Sequence, residues 1–147
     1  MKGTFKPRNP SKYKGNAKNI IYRSSYEFKF FRYLDDSPKI EWWASEELAI
    51  PYFSPIDNKM HRYYPDVILK KKNGNVVMVE IKPGKQTKPP VPKMTKKGTP
   101  RKSYLNEMIE WNRNKAKWEA ASTFCDKRGW EWAIFTEKEL GIPIRGN

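Results

Sequence analysis

Two strand-like runs on either side of an Asn73-Gly74 dipeptide constrain the fold of this chain more than any other feature. Asn-Gly between apolar runs is a strong short-range signal of a β-hairpin, so residues 62–69 and 76–81 are predicted to pair. The second run is apolar without alternation, which is typical of a central strand covered on both faces. Pairing of the two runs would place Asp66 beside Glu80 at one end of the sheet.

Charged side chains gather at that end of the predicted hairpin. Lys82 lies two residues after Glu80 and therefore points to the same face of the strand. Carboxylates at the end of an apolar strand need a compensating partner. Mg²⁺ prefers hard oxygen ligands, and Asp66, Glu80 and the backbone carbonyl of Ile81 could supply them. Lys82 could then hold an attacking water and balance the charge that develops on a phosphate.

Each of these residues also has a plainer explanation. A Glu-x-Lys triplet is common in basic proteins, and Asp66, which follows Pro65, could be a turn residue. Glu27, three residues after Ser24, fits a capping box, so it could either cap a helix or add a carboxylate to the same metal or to a second one. His61 is the only histidine. It has no second His and no Cys to support a zinc site, and at most a minor contact with phosphate is expected of it.

The formal net charge of +14 is concentrated in two segments. Residues 1–23 and 82–102 together hold half of the 30 Lys and Arg residues and no acidic residue. Two basic segments that flank an acidic cluster indicate double-stranded DNA as the partner, although solvated loops without a function would give the same pattern. The candidate DNA-binding residues are Lys12, Lys14, Arg23, His61, Arg62, Lys85, Lys88, Lys93, Lys96, Lys97 and Arg101.

The remaining patterns predict a single α/β (α+β) domain over residues 1–147. Residues 1–23 are expected to form an extended, irregular basic arm, and residues 83–102, with five prolines, a basic loop. The predicted elements, in chain order, are a helix at 24–34, strands at 40–44, 48–53, 62–69 and 76–81, a helix at 103–128, a strand at 130–135 and a short helix after Thr136.

Several classes of protein are excluded. Cys125 is the only cysteine, which rules out a disulfide within the chain and a zinc site of several thiolates. No apolar run approaches the length that spans a membrane, so we expect no membrane partner. Residues 1–15 have a basic start but lack the apolar region of a signal peptide.

Pro65-Asp66 followed by Glu80-Ile81-Lys82 resembles the PD-(D/E)xK nuclease superfamily. The surrounding sequence narrows the resemblance to the TnsA-like transposon-end endonucleases. The segments that carry it are Tyr22-Arg23-Ser24-Ser25-Tyr26-Glu27, His61-Arg62-Tyr63-Tyr64-Pro65-Asp66, Lys117-Trp118-Glu119-Ala120-Ala121 and Ile134-Phe135-Thr136. Residues 2–15 add a similarity to the head-completion nucleases of large contractile-tailed bacteriophages. The similarity to these nucleases extends over nearly the whole chain.

The resemblance implies a restriction-endonuclease-like core, with a mixed β-sheet flanked by helices. It implies Mg²⁺-dependent hydrolysis of DNA phosphodiesters, with Mn²⁺ as a substitute, and both endonuclease and exonuclease activity. By the family pattern, Glu27 is the helix carboxylate, Asp66 and Glu80 are metal ligands and Lys82 is the catalytic lysine. The implied setting is phage head completion in the host cytoplasm, and association with the virion is also expected. Packaged DNA would be processed there so that a tail can join, with portal, neck or tail proteins as partners.

Two other functions stay open at the level of sequence. A structural DNA-binding head or neck protein without turnover would use the same basic segments. A junction-resolving or transposition endonuclease would keep the chemistry but would usually need a dimer or a partner protein.

Overall fold

The computed structural model describes residues 2–140. Its strands are β1 (Gly3–Phe5), β2 (Ile20–Tyr22), β3 (Ile40–Ala44), β4 (Ile50–Ser54), β5 (Lys59–Tyr63), β6 (Val67–Lys71), β7 (Val76–Ile81) and β8 (Glu131–Phe135). Its long helices are α1 (Ser25–Asp36) and α2 (Lys102–Arg128). Short 3₁₀ helices cover Pro10–Lys12 and Gly84–Thr87, and residues 137–140 are helical.

A mixed sheet with the strand order β3-β6-β7-β8 forms the centre of the fold. β6 and β7 are the predicted hairpin, and they pair antiparallel with Val67 opposite Val79. β8 pairs parallel with β7, with Ile134 opposite Glu80. A parallel pair needs a long crossover connection, and α2 lies within it. β7 thus lies between two strands and is buried along most of its length, as its unbroken apolar run predicts.

The two long helices are placed by their apolar faces. α1 buries Phe30, Phe31 and Leu34 and contacts β2 and β3. α2 packs against β4 and β8 and buries Trp118, among other residues. Gly129 ends α2 in the left-handed region, with φ of 70°, as the sequence predicts for a C-terminal stop. The predicted arrangement of a mixed sheet with flanking helices is confirmed.

The N-terminal segment is folded onto this core, so the prediction of an extended, irregular arm at 1–23 was wrong for the part that the structure describes. β1 and β2 pair antiparallel with Phe5 opposite Ile20, and both side chains are buried. Tyr13 is also buried, with its ring edge-on to Trp43 at a centroid distance of 4.8 Å. Strands of three residues are too short to show a hydrophobic period, and the aromatic contacts that hold them come from distant parts of the chain.

The predicted strand at 62–69 is two strands, β5 and β6, separated by Tyr64-Pro65-Asp66. β5 pairs with β4 in a separate two-stranded sheet, where Tyr63 lies opposite Ile50. Pro65 explains the break, because proline has no N–H to donate to a strand partner and restricts the residue before it. The break sets Asp66 at the start of β6 rather than inside a strand.

The proline-rich loop ends in a small turn, residues 93–101, which we call the basic finger. Met94 and Pro100 form an isolated antiparallel bridge, and the amide of Thr95 donates to the carbonyl of Thr99 at 2.7 Å. The amide of Gly98 donates to the carbonyl of Thr95 at 3.0 Å and closes the turn. Gly98 has φ of +81°, which glycine adopts without strain. The tip of the finger is Lys96-Lys97.

Candidate active site

The two acids predicted from the hairpin lie together at one end of the central sheet. Val67 pairs with Val79, so Asp66, one residue before β6 begins, comes beside the end of β7. One carboxylate oxygen of Asp66 accepts a hydrogen bond from the amide of Ile81 at 2.7 Å. Asp66 is thereby fixed next to Glu80, and the predicted juxtaposition of these two carboxylates is present in the structure.

Glu80 is a buried carboxylate with a different partner on each oxygen. Its side chain lies in β7, and the residue is 5% exposed. The hydroxyl of Tyr63 donates to Oε1, and Nζ of Lys82 lies 3.4 Å from Oε2. Lys82 follows β7 and keeps 28% of its side chain exposed. This lysine therefore contacts Glu80 and solvent at the same time, as a group that meets a substrate must.

The electrostatics of the pair favour a bound cation. Burial, reinforced by the negative charge of Glu80, raises the pKa of Asp66 well above its ordinary value, and the Ile81 amide only partly opposes this. Burial also raises the pKa of Glu80, against the effects of Tyr63 and Lys82. Two desolvated carboxylates side by side resist ionisation unless a positive charge joins them. Hard oxygens under these conditions match the ligand preference of Mg²⁺.

Glu27 lies at the start of α1 as a helix cap. The amide of Glu27 donates to Oγ of Ser24 at 3.1 Å, so Ser24 caps α1 as the predicted capping box requires. Burial raises the pKa of Glu27, and its charge contributes to the raised pKa of Asp66, so the two carboxylates are within electrostatic range. Among residues 2–140, no group of three or more His, Cys, Asp or Glu side chains is close enough to hold a metal ion. The structure thus brings Asp66 and Glu80 together and leaves Glu27 outside a common ligand cluster.

Two side chains at the site were not assigned from the sequence. Tyr63, at the end of β5, reaches Glu80 across the strand break. Lys117, on α2, places its ammonium 5.8 Å from the centroid of the Tyr63 ring. Burial, together with the charge of Lys82, lowers the pKa of Lys117, and Glu80 raises it, so this lysine lies within electrostatic range of Glu80 and Lys82. No local pattern in the sequence links a residue of α2 to a residue of β5.

The chain matches the sequence of a known family. The sequence model of the family described as TnsA-like endonuclease N terminal matches residues 37–137, which is more than half of the chain. This chain belongs to the TnsA-like endonuclease family. The restriction-endonuclease-like fold is therefore confirmed, and the match includes Asp66, Glu80 and Lys82. Glu27 lies outside the matched residues.

A curated relative of this TnsA-like chain is similar over most of its length. The head completion nuclease of Enterobacteria phage T4 is 41% identical over 138 residues, which cover 94% of this chain and 92% of the relative. Glu27 and part of the N-terminal hairpin of β1 and β2 therefore fall within this similarity, although they lie outside the family match. The predicted resemblance to phage head-completion nucleases is confirmed.

The candidate DNA-binding residues of this TnsA-like chain fall into two groups. Several make contacts within the protein. Lys12 donates to the carbonyls of Asp35 and Ser37 at 2.9 and 2.8 Å and so caps the end of α1. The others with internal contacts are Lys14 over the Trp42 ring, Arg23 with Glu46, His61 with Asp57, Lys93 with Glu107, and Arg101 with the Met94 carbonyl. The group of exposed cations with no such contact among the described residues is Arg62, Lys85, Lys88, Lys96 and Lys97.

Within residues 2–140, the structure contains no helix that is both long and apolar enough to cross a membrane.

Proposed function

We propose that this chain is a metal-dependent DNA nuclease that acts in phage head completion. The observation that carries the proposal is the contact of Lys82 with buried Glu80, which lies beside the partly buried Asp66 at the end of the central strand of a TnsA-like domain. Two desolvated acids beside a partly exposed lysine are costly for folding alone, and their chemistry suits a phosphodiester substrate. Membership of an endonuclease family and similarity to a head completion nuclease support the same conclusion.

Each residue of the site has a proposed role in hydrolysis. Asp66, Glu80 and the carbonyl of Ile81 would hold Mg²⁺, or Mn²⁺ in its place, and the ion when bound supplies Lewis-acid polarisation of the phosphate and of water. Lys82 orients the attacking water and balances the charge that develops on the phosphate oxygens. Hydrolysis adds the hydroxyl of that water to phosphorus, breaks the bond to one sugar oxygen and leaves the proton on that oxygen. Glu27 supplies a further carboxylate from the start of α1.

The basic finger and the residues before it contact the DNA backbone. Residues 82–102 contain no acidic residue, and Lys85, Lys88, Lys96 and Lys97 are exposed. The finger belongs to the same acid-free segment as Lys82, and we infer that its Lys96-Lys97 tip binds phosphates of the substrate. Lysines recognise phosphate as point charges and read no base sequence, so we expect binding to duplex DNA with little sequence preference.

The biological role follows the relative from phage T4. We place the protein in the host cytoplasm during virion assembly and on the maturing head, where it processes packaged DNA so that a tail can join. Portal, neck or tail proteins would be its partners. Both endonuclease cleavage of circular DNA and exonuclease trimming of ends belong to this proposal.

Cleavage of plasmid and linear DNA tests the proposal directly. Wild-type protein should cut in Mg²⁺ and in Mn²⁺ and stop in EDTA, and Lys82→Ala should abolish cutting. Lys70→Ala is the matched control, because Lys70 pairs with Glu41 at 3.2 Å on the same sheet and touches neither acid of the site. Salt-sensitive DNA binding without cleavage in either metal would instead support a structural head or neck protein.

A further inference from the structure

Among the hydrogen bonds and ion pairs of residues 2–140, the Glu80 carboxylate has two side-chain partners, Lys82 and Tyr63. Lys82 follows Glu80 closely in the chain, so Tyr63 is the partner that comes from another element. Tyr63 is 5% exposed and donates to Oε1 of Glu80. Lys82 lies against the other oxygen, Oε2. The two oxygens of this carboxylate are thus bound by groups of different kinds, one neutral and buried, the other charged and partly in solvent.

The ring of Tyr63 is fixed from several sides. Trp132, on β8, packs edge-on against it at a centroid distance of 6.4 Å and an interplanar angle of 80°. The backbone of Tyr63 pairs with Ile50 in the two-stranded sheet of β4 and β5. Lys117 lies over the ring at 5.8 Å, within the range of a cation–π contact. A ring held in this way leaves its hydroxyl one direction, toward Glu80.

Lys117 is also placed to strengthen the hydrogen bond that the Tyr63 hydroxyl donates to Glu80. A cation over the face of a phenol draws electron density from the ring and makes the O–H group a stronger hydrogen-bond donor. Lys117 is half-buried on α2, so water screens its charge weakly. Strand β5, strand β7 and helix α2 therefore meet in one chain of contacts, from Lys117 through Tyr63 to Glu80.

Lys82 is less suited than Tyr63 to keep Glu80 in place during catalysis. Its proposed role is to face water and phosphate, and each contact with substrate weakens its contact with Oε2. Tyr63 has no access to substrate at 5% exposure and can hold Oε1 throughout. Outer partners of this kind orient a ligating carboxylate and are commonly needed for full metal affinity.

We propose that Tyr63 is a positioning residue that orients Glu80 for the metal ion, and that Lys117 holds and polarises Tyr63 from α2. This inference rests on the proposed function, because it concerns the metal site of that function. Neither residue touches the reacting atoms. Their effect is expected on metal affinity, which can be measured on the protein without DNA.

Binding of Mn²⁺ to the DNA-free protein, followed by electron paramagnetic resonance, and of Mg²⁺, followed by calorimetry, tests the inference. Tyr63→Phe removes one hydroxyl and keeps the ring, and it should weaken both ions by about 10- to 100-fold. Tyr64→Phe is the matched control, since Tyr64 is the next residue and is 45% exposed, and it should bind as wild type does. Lys117→Met should shift affinity in the same direction by less, and Lys117→Arg should restore it, because arginine also stacks on an aromatic face.

The outcomes separate this inference from the proposed function. If wild type binds the ions and Tyr63→Phe binds them equally well, the positioning role is wrong and the proposed function stands. If wild type binds neither ion, the metal-dependent function fails and the inference fails with it. A Lys117→Met variant that keeps wild-type Mn²⁺ affinity but raises KM for DNA would overturn the role of Lys117 and make it a substrate contact. Should Tyr63→Phe fail to fold by circular dichroism, the Lys117 pair of variants decides the question.

Discussion

The amide of Ile81 donates to the carboxylate of Asp66 at 2.7 Å, and this bond holds the acid that directly precedes β6 against the strand that carries the other acid. The same stretch of backbone thereby presents Glu80, the Ile81 carbonyl and Lys82 in succession. A carboxylate fixed by a main-chain donor loses little freedom when it takes a ligand. The hairpin therefore preorganises the acid pair before any substrate arrives.

Replacement of Asp66 by Asn should abolish cleavage and raise the thermal stability of the metal-free protein at neutral pH. Asn keeps an oxygen that can accept from the Ile81 amide and removes a buried charge beside Glu80. We expect cleavage to fall by at least about 100-fold and the midpoint of thermal unfolding in EDTA to rise. Calorimetry and plasmid cleavage on the same preparations measure the two effects. A variant that lost stability would show that the Asp66 charge helps to hold the fold.

The same substitution should change how stability depends on pH. Folding raises the pKa of Asp66, so between the ordinary carboxyl pKa of about 4 and the raised value the folded state binds more protons than the unfolded state. The contribution of Asp66 to the free energy of unfolding is therefore greatest at low pH and is lost as pH rises through that window. Urea unfolding in EDTA at a series of pH values should show a smaller loss of stability with rising pH for Asp66→Asn than for wild type.

Substitutions at Glu27 separate catalysis from capping. Glu27→Gln keeps the backbone amide that donates to Oγ of Ser24, so the free energy of unfolding should change by less than about 0.5 kcal/mol, while cleavage falls because a carboxylate is lost. Ser24→Ala should do the reverse, with a loss of about 1 kcal/mol of stability and retained cleavage, because it removes the oxygen that accepts from the Glu27 amide. Wild-type cleavage by Glu27→Gln would make Glu27 a helix cap alone.

The parts of the fold and site that the sequence predicts are those encoded by neighbouring residues. The β6–β7 hairpin follows from Asn73-Gly74 and two apolar runs, and its register alone brings Asp66 to Glu80. The cap of α1 and the stop of α2 at Gly129 are equally local. What the sequence does not predict depends on pairs far apart in the chain. The contact of Lys117 with Tyr63 requires the docking of α2 against β4, whose partner strand β5 carries Tyr63, and no periodicity within α2 or β5 encodes it.

The charge of the N-terminal segment also misleads a prediction made from sequence alone. Seven basic residues without an acid predict a solvated arm, yet the segment carries Phe5, Tyr13 and Ile20 into the core. Its cations are exposed except Lys12, which is half-buried and caps α1. The charge of the segment reflects the side chains that face water, whereas its backbone conformation is set by the three side chains that are buried.

Truncation of Phe5 should therefore destabilise the whole protein. Its ring is 2% exposed and packs edge-on against Phe31 and Trp43, each at a centroid distance of 5.8 Å. Phe5→Ala should lower the free energy of unfolding by about 3–5 kcal/mol, because it removes a buried ring and leaves a cavity. Lys6→Ala, at the next and exposed position, is the control and should stay within about 0.5 kcal/mol of wild type. A Phe5→Ala protein of wild-type stability with reduced DNA affinity would instead support a mobile N-terminal arm that binds DNA. Chemical denaturation with DNA binding measured in parallel distinguishes the two.

The tip of the basic finger should bind DNA through phosphates alone. Lys96 and Lys97 are exposed, and the Thr95–Thr99 turn that presents them is closed by its own hydrogen bonds, so a double substitution by alanine leaves the turn intact. Each lost phosphate contact should reduce the slope of log K against log salt by about 0.9, so the double variant should lose up to about 1.8. Lys29→Ala with Lys39→Ala removes the same charge from exposed positions outside the finger and should leave the slope nearly unchanged. Fluorescence anisotropy with duplexes of two unrelated sequences, titrated at several salt concentrations, gives the slopes. Equal slopes for both double variants would mean that only net charge matters, and a loss confined to one of the duplexes would mean that the finger reads sequence.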